Sequence, residues 1–192
     1  MRKSCKTAEG AQFLVVDARS MPFDNDRFDV AVSALVLNFI PDREKAVAEM
    51  RRVVRPGGTV AAYVWDFAGR RGTNQHLHSA IAELEGAGQM PAALNADSTS
   101  QDKLKNLFDS AGLTDVVTRP IEIAVNFPNF DDYWSSNTGF ATPVAGIIKG
   151  LTDVKRQRLI QLVKVRLPID NNGAISYTAR VNAVRGRVEH EG

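Results

Sequence analysis

Two polar side chains stand just past apolar runs: Asn38 after residues 30–37 and Asp66 after residues 59–65. Runs this apolar read as strands of a parallel sheet covered on both faces. With a helix between them they make a right-handed strand-helix-strand unit, which brings both strand ends to one edge of the sheet, where open α/β sheets bind ligands. Asn38 and Asp66 therefore share a crevice. Asp66, His76 and Tyr133 are the groups there that could take a proton from a substrate. Tyr133 and Trp134 belong to an aromatic cluster with Phe127 and Phe130, suited to covering an apolar ligand. Plain structural readings stand beside these: Asn38 can satisfy the turn that follows its strand. His76 and His78 lie two apart on an expected helix, on roughly opposite faces, and cannot form the i, i+4 pair of a zinc site. No metal constellation is expected.

The elements that position these residues follow from spacing. Residues 12–16 form a short apolar run that meets Asp17 and read as a buried strand. Asp42 is placed to cap a helix over residues 43–54, with Glu44 in its first turn, the stripe Ala46, Val47, Met50, Val53 and Val54, and a stop at Pro56-Gly57-Gly58. A helix over residues 75–84 repeats Leu77, Ala80, Ile81 and Leu84. Thr99 with Asp102 makes a capping box for a third helix, carrying Leu104, Leu107, Phe108 and Ala111 and ended by Gly112. The period then changes to two: Ile121, Ile123, Val125 and Phe127 alternate with polar positions, as do Ile175, Tyr177, Ala179 and Val181. These are two antiparallel strands. Residues 128–168 separate them, with a helix over 151–167 closed by Pro168, and an insertion this long reads as a cover over a substrate.

Composition fits one domain over residues 1–192. The 24 Lys and Arg against 22 Asp and Glu give a net charge of +2, so there is no global pull on nucleic acid, and 44% hydrophobic residues supply a core. Residues 151–188 carry eight Lys or Arg against Asp153 and Asp170, which reads as a solvated helix face or, less plainly, as a phosphate-binding stripe. The single cysteine, Cys5, has no partner for a disulfide and reads as a surface thiol. The apolar run after the basic start is too short for a signal peptide, and no stretch nears the ~20 residues that span a bilayer. A cytoplasmic soluble protein is expected, with no membrane or nucleic-acid partner.

Read together, Asp17-Ala18, Met21-Pro22-Phe23, Phe28-Asp29, Leu37-Asn38-Phe39, Asp42, Ala46, Glu49-Met50, Arg52-Val53 and Pro56-Gly57-Gly58 resemble the central part of a class I S-adenosylmethionine-dependent methyltransferase. The resemblance is tight over residues 12–66 and looser beyond, where the segment at Phe130 to Trp134 matches a substrate lid and residues 179–186 a last antiparallel strand. It implies S-adenosylmethionine as cofactor. The Asp17 carboxylate would accept from the adenine amine and the Ala18 amide would face a ring nitrogen. Met21 would pad the adenine, with ordinary core as the alternative. Ala34 and Leu35 would run beside the methionine part of the cofactor, with ordinary buried strand as the alternative. Asn38, Asp66, Tyr133 and Trp134 would face a small-molecule acceptor. Where relatives that methylate amines or nucleobases carry an acid or amide, two prolines and an aromatic, Asn38-Phe39-Ile40-Pro41 departs, so amine chemistry is not implied.

The family's glycine-rich loop and the acid that holds the ribose are not found ahead of Asp17. The expected fold is a Rossmann-like α/β methyltransferase sheet, truncated at its N-terminus, with a terminal antiparallel strand pair and a helical lid insertion. The strand at residues 12–16 then lacks its family neighbours, and is expected to pair irregularly with the 30–37 strand or to hang at an exposed edge that a partner chain, such as a second copy, could cover. Three functions stay open: a small-molecule methyltransferase with impaired cofactor binding, a non-catalytic methyltransferase-like binding module, and an RNA-associated module using Lys155, Arg156 and Arg158.

Overall fold

The apolar runs on either side of the Asp42-capped helix pair as parallel strands in a computed structural model that describes residues 10–85, 96–139 and 143–189. Strand β1 (Phe28–Ala34) lies beside β2 (Val54–Trp65), with Val30 opposite Thr59 and Ala34 opposite Tyr63. Between them α1 (Arg43–Val53) begins at Asp42, whose side chain accepts from the Lys45 amide at 3.0 Å. Its Ala46, Val47, Met50 and Val53 are buried, as the stripe predicts. The expected stop at Pro56-Gly57-Gly58 falls inside β2 instead. The helix ends at Val53, one residue before its expected end, and the strand absorbs these residues as an irregularity opposite the start of β1, with Gly57 at φ +74°.

The C-terminal half of the sheet is antiparallel. Strand β3 (Thr114–Phe127) and β4 (Ile175–Arg187) pair along their whole length, and β4 also pairs with β2, from Thr59 opposite Arg187 to Trp65 opposite Val181. The sheet order is β1-β2-β4-β3. Residues 179–186, expected as the last antiparallel strand, are the C-terminal part of β4. Both strands run longer than their apolar alternation suggests, and Pro120 is tolerated because β3 is an edge.

Two further helices precede β3 in the chain. They are α2 (Gln75–Glu85) and α3 (Gln101–Ser110). The cap of α3 is Ser100, whose side chain accepts from the Lys103 amide, and not Thr99. Thr99 is fully buried and used elsewhere: its hydroxyl donates to the Ala96 carbonyl and accepts from the Ala68 amide. One core lies between the sheet and α1 and α3, built from Leu37, Val47, Val60, Val64, Leu107 and Phe108 among others. A second core is helical. Residues 128–168 form α4 (Phe130–Thr138), α5 (Pro143–Gly150) and α6 (Asp153–Arg166), which close with α2 around Leu77, Ile81, Tyr133, Leu159 and Val163, and Ile175 of β4 joins them.

Residues 12–16 form no strand and pair with nothing among the described residues, which corrects the expectation of a sheet strand and leaves an exposed segment. The turn at Asp17 to Ser20 directs the chain onto the outside of α1. There Arg52 donates to the carbonyls of Met21 and Phe23 and to Asn25, while Glu49 accepts from the Met21 amide and from Arg52. Phe13, Leu14, Val15 and Val16 are 68%, 58%, 93% and 42% exposed. Cys5 lies outside the described residues. The sheet face opposite α1 and α3 is bare from Val30 and Val32 across to a groove of about 550 Å³ lined by Ala61, Tyr63, Val117, Arg119, Ala183 and Arg185.

The irregularity in β2 depends on a missing side chain. A Cβ on Gly58 would come within 2.7 Å of the Asp29 carbonyl and 2.8 Å of the Arg55 carbonyl, both backbone atoms that cannot step aside cheaply. Gly58→Ala is expected to lower stability by about 2 kcal/mol in urea unfolding, whereas Gly146→Ala on α5, where a Cβ meets nothing within 4 Å, should not.

Candidate functional site

At the C-terminal end of β1 the backbone turns abruptly. Leu35 sits at φ +57°, the left-handed region that a leucine rarely adopts, with its amide donating to the Tyr63 carbonyl at 2.9 Å. Conformations of this kind cost on the order of 1 kcal/mol and persist where neighbours enforce them. The turn feeds a short 3-10 helix, Leu37–Phe39, which buries Asn38 with its side-chain Nδ2 unpartnered among the described residues. Ala34 is exposed at the strand end, and Leu35 is half-buried.

The end of β2 is fixed by Asp66. Its Oδ1 accepts from the Gly69 amide at 2.8 Å, its amide donates to the Arg180 carbonyl, and its own carbonyl accepts from Arg71. The other carboxylate oxygen lies 3.9 Å from Arg180 Nη1, and Arg180 with Arg71 holds Glu122 of β3 at 3.2 and 3.1 Å. A cleft of about 420 Å³ opens beside this group, lined by Asp66, Gly69, Ser100, Asp102, Arg180 and Asn182. Asn182 is buried and donates to the Thr99 carbonyl at 2.9 Å, leaving its Oδ1 unpartnered among the described residues. Sequence reasoning missed Arg180 and Asn182. Their alternation with apolar residues marked them as solvent positions, whereas their face of β4 continues to Val184 in the sheet core and is covered at Asn182 by the turn that carries Thr99.

Asp17, at the other side of α1, is an exposed carboxylate already occupied by its neighbour. Arg19 donates to it through Nε at 3.0 Å, Nη2 at 2.8 Å and the backbone amide at 2.9 Å. These bonds hold its pKa down at about 2. Ala18 and Met21 are half-buried against the sheet core, with Met21 held by Glu49 and Arg52. The signal for Arg19 was in the sequence, two positions beyond the acid, where a turn returns the side chain to the carboxylate.

The remaining expected residues belong to the helical core. Tyr133 is 0% exposed, its ring packed edge-on to Phe127, and burial pushes its hydroxyl pKa up. Trp134 is half-buried and stacked on Phe130, with Lys164 over the other ring of the pair at 4.6 Å from the Phe130 centroid. His76 meets Tyr177 edge-on at 5.0 Å between centroids, and burial lowers its pKa. Tyr177 donates its hydroxyl to the Thr73 carbonyl, and burial raises its pKa to about 12. The structure therefore brings Asn38, Leu35 and Asp66 to the strand ends, sets Asp17, Ala18 and Met21 along α1, and encloses Tyr133 within a core. Of the basic residues on α6, Arg166 is tied to Glu83 and the Leu162 carbonyl, while Arg158 is exposed. No cluster of three or more His, Cys, Asp or Glu capable of holding a metal occurs among the described residues, and none of the described helices is long and apolar enough to cross a membrane.

S-adenosylmethionine can be tested against this arrangement. The adenine-side residues are present at the surface, but both Asp17 oxygens are engaged by Arg19, so an adenine amine has to share or displace that ion pair. At the end of β1 Ala34 is exposed and Leu35 half-buried, so the residues that the resemblance assigns to the cofactor lie at or near the surface.

His78 supplies a titration that reads the integrity of this region. It is buried beside Phe67 with Nε2 unpartnered among the described residues, and burial lowers its pKa to about 4. The unfolded chain binds this proton near pH 6.5, so stability is expected to be complete above that pH and to fall on acidification towards pH 4, by on the order of 2 kcal/mol. His78→Leu should flatten this part of the profile, followed by urea unfolding at pH 4.5 and 7.

Residues 1–62 match the methyltransferase domain family. An uncharacterised protein of Mycobacterium tuberculosis is 40% identical over 58 residues, 30% of this chain and 21% of that protein. The demethylmenaquinone methyltransferase of Desulfitobacterium hafniense is 29% identical over 126 residues, 52% of this chain and 44% of that protein. These matches span less than half of either relative's length. In fold, a methyltransferase candidate from Bacillus halodurans superposes with a TM-score of 0.52 at 16% identity, over 91% of this chain and 70% of that one. Residues 1–62 thus resemble a methyltransferase domain, and the sheet that carries them has the Rossmann-like fold of the Bacillus halodurans structure.

Proposed function

We propose that the chain transfers a methyl group from S-adenosylmethionine to a small, largely apolar acceptor of the quinone kind, working in the cytoplasm. The observation that carries this reading is the parallel β1-α1-β2 unit whose strand ends converge beside the left-handed Leu35, with Asp17, Ala18 and Met21 on the same unit. The acceptor class follows the Desulfitobacterium relative, whose name gives demethylmenaquinone as its substrate.

When bound, S-adenosylmethionine supplies an electrophilic methyl group, so the protein's work is to position and to exclude water. In this reading Asp17 and the Ala18 amide hold the adenine edge and Met21 pads its face. Ala34 and Leu35 line the path at the end of β1. Asn38 orients the acceptor. Asp66 is the group placed to accept a proton, because one carboxylate oxygen remains free of the turn it stabilises. His76 and Tyr133 are withdrawn into the helical core, and Trp134 lies at its margin as the aromatic wall nearest an acceptor.

Because Arg19 competes for Asp17, binding of the cofactor by this chain is expected to be weak for a methyltransferase. Calorimetric titration with S-adenosylmethionine and with its demethylated product tests the reading. Micromolar binding is expected, weakened about tenfold or more in Asp17→Ala, the loss of a hydrogen bond to a charged group. A folded chain that binds neither compound overturns it, and equal binding by Asp17→Ala removes Asp17 from the site.

A further inference from the structure

Two features of this chain each lack a partner, and each has the form the other needs. The first is the outer edge of β1. It is an end strand of the sheet, its far side pairs with nothing among the described residues, and Val30 and Val32 are 53% and 57% exposed on the bare face. Edges of this kind are ordinarily blunted by charge, proline or a covering segment, because a row of free amides and carbonyls invites another strand. β1 carries none of these along Val30 to Ala34. The second feature is the exposed segment at residues 12–16. Four consecutive apolar side chains, Phe13 to Val16, are the mark of a strand covered on both faces, yet here Val15 is 93% exposed. The segment does not reach its own β1, since the turn after Asp17 and the grip of Arg52 and Glu49 on residues 21–25 lead the chain along α1.

We propose that residues 12–16 of one copy add as a parallel strand to the β1 edge of a second copy, and reciprocally, giving a closed strand-exchanged homodimer. Charge sets the direction. The sequence leading into the segment carries Arg2, Lys3 and Lys6 against Glu9, and the sequence leading into β1 carries Asp24, Asp26 and Asp29 against Arg27. Parallel addition puts these opposite charges at the same end, whereas antiparallel addition brings Asp17 to the acidic end. It also continues the parallel pairing already present between β1 and β2. The side chains of Phe13 to Val16 with those of Val30 and Val32 offer on the order of 600 Å² per copy, and reciprocal exchange doubles this to about the lower size of specific interfaces. A twofold exchange is closed, so both edges are consumed and growth stops at two chains.

The test is the mass in solution across a wide concentration range, by sedimentation velocity, without cofactor or acceptor, so that its result is independent of methyl transfer. Twice the 21.0 kDa of the chain is expected, with hydrogen exchange at the β1 amides slowing as the dimer forms. Val15→Lys and Val32→Lys replace exposed side chains and should leave the fold intact by circular dichroism, while raising the dimer dissociation constant at least tenfold. Val165→Lys, on the 85% exposed outer face of α6, should leave it unchanged. A single 21.0 kDa species throughout, with β1 amides exchanging freely, overturns the proposal. So does a dimer that survives both Val15→Lys and Val32→Lys, which would use another surface.

Discussion

The antiparallel ladder between β2 and β4 is the joint on which the other parts depend. On one side of it β2 continues into the parallel pair with β1, and on the other β4 continues into the long hairpin-like pair with β3. Val60, Ala62 and Val64 on β2 and Val184 on β4 put one face of this joint into the sheet core, against α1 and α3. Asp66 leaves the ladder at its upper end with its amide bonded to the Arg180 carbonyl and its carboxylate accepting from the Gly69 amide, so the group proposed as proton acceptor is placed by the strand and by the turn that follows it. The Arg180 side chain then ties the same point to Glu122 across β4, where the three strands meet.

Much of this was legible in the residues. The helix between two apolar runs, its Asp42 cap and its stripe of Ala46, Val47, Met50 and Val53 are local properties, set by spacing and by one hydrogen bond. The period-two segments near 121–127 and 175–181 were legible for the same reason. What was not legible depended on partners far along the chain. Residues 12–16 have every property of a strand except a neighbour, and pairing is not a property of a segment. Thr99 and Ser100 are both good caps by type, and the choice between them was made by a distant amide, that of Ala68, which takes the Thr99 hydroxyl. Arg180 and Asn182 read as outward residues of an alternating strand because nothing local says that their face of β4 is covered.

The candidate site shows the same division. Asp17, Ala18 and Met21 were read from their motif as the adenine side, and Glu49 with Arg52 of that motif hold Met21 against α1; Arg52 holds the Glu49 carboxyl down at about pKa 2. The Asp17 to Arg19 ion pair is a short-range interaction, yet its meaning depends on what else approaches the carboxylate. Tyr133 illustrates the opposite limit. An aromatic cluster on an insertion suggests a cover over a ligand, but aromatic rings bury large areas wherever they can, and here they found one another and α2 before any substrate. The insertion is a second core first, with Phe127, Phe130 and Trp134 half-buried at its margin.

One strand belongs to both cores. Ile175 at the start of β4 is sealed among the helices α2, α4 and α6, while Val184 further along the same strand is sealed beneath α3. Melting the helical core would pull on a strand whose remaining hydrogen bonds hold β2 and β3 together, and loosening the sheet would free the residue that closes the helices. The two cores are thus coupled through β4, so a change in the packing of either is felt along the strand that the other needs.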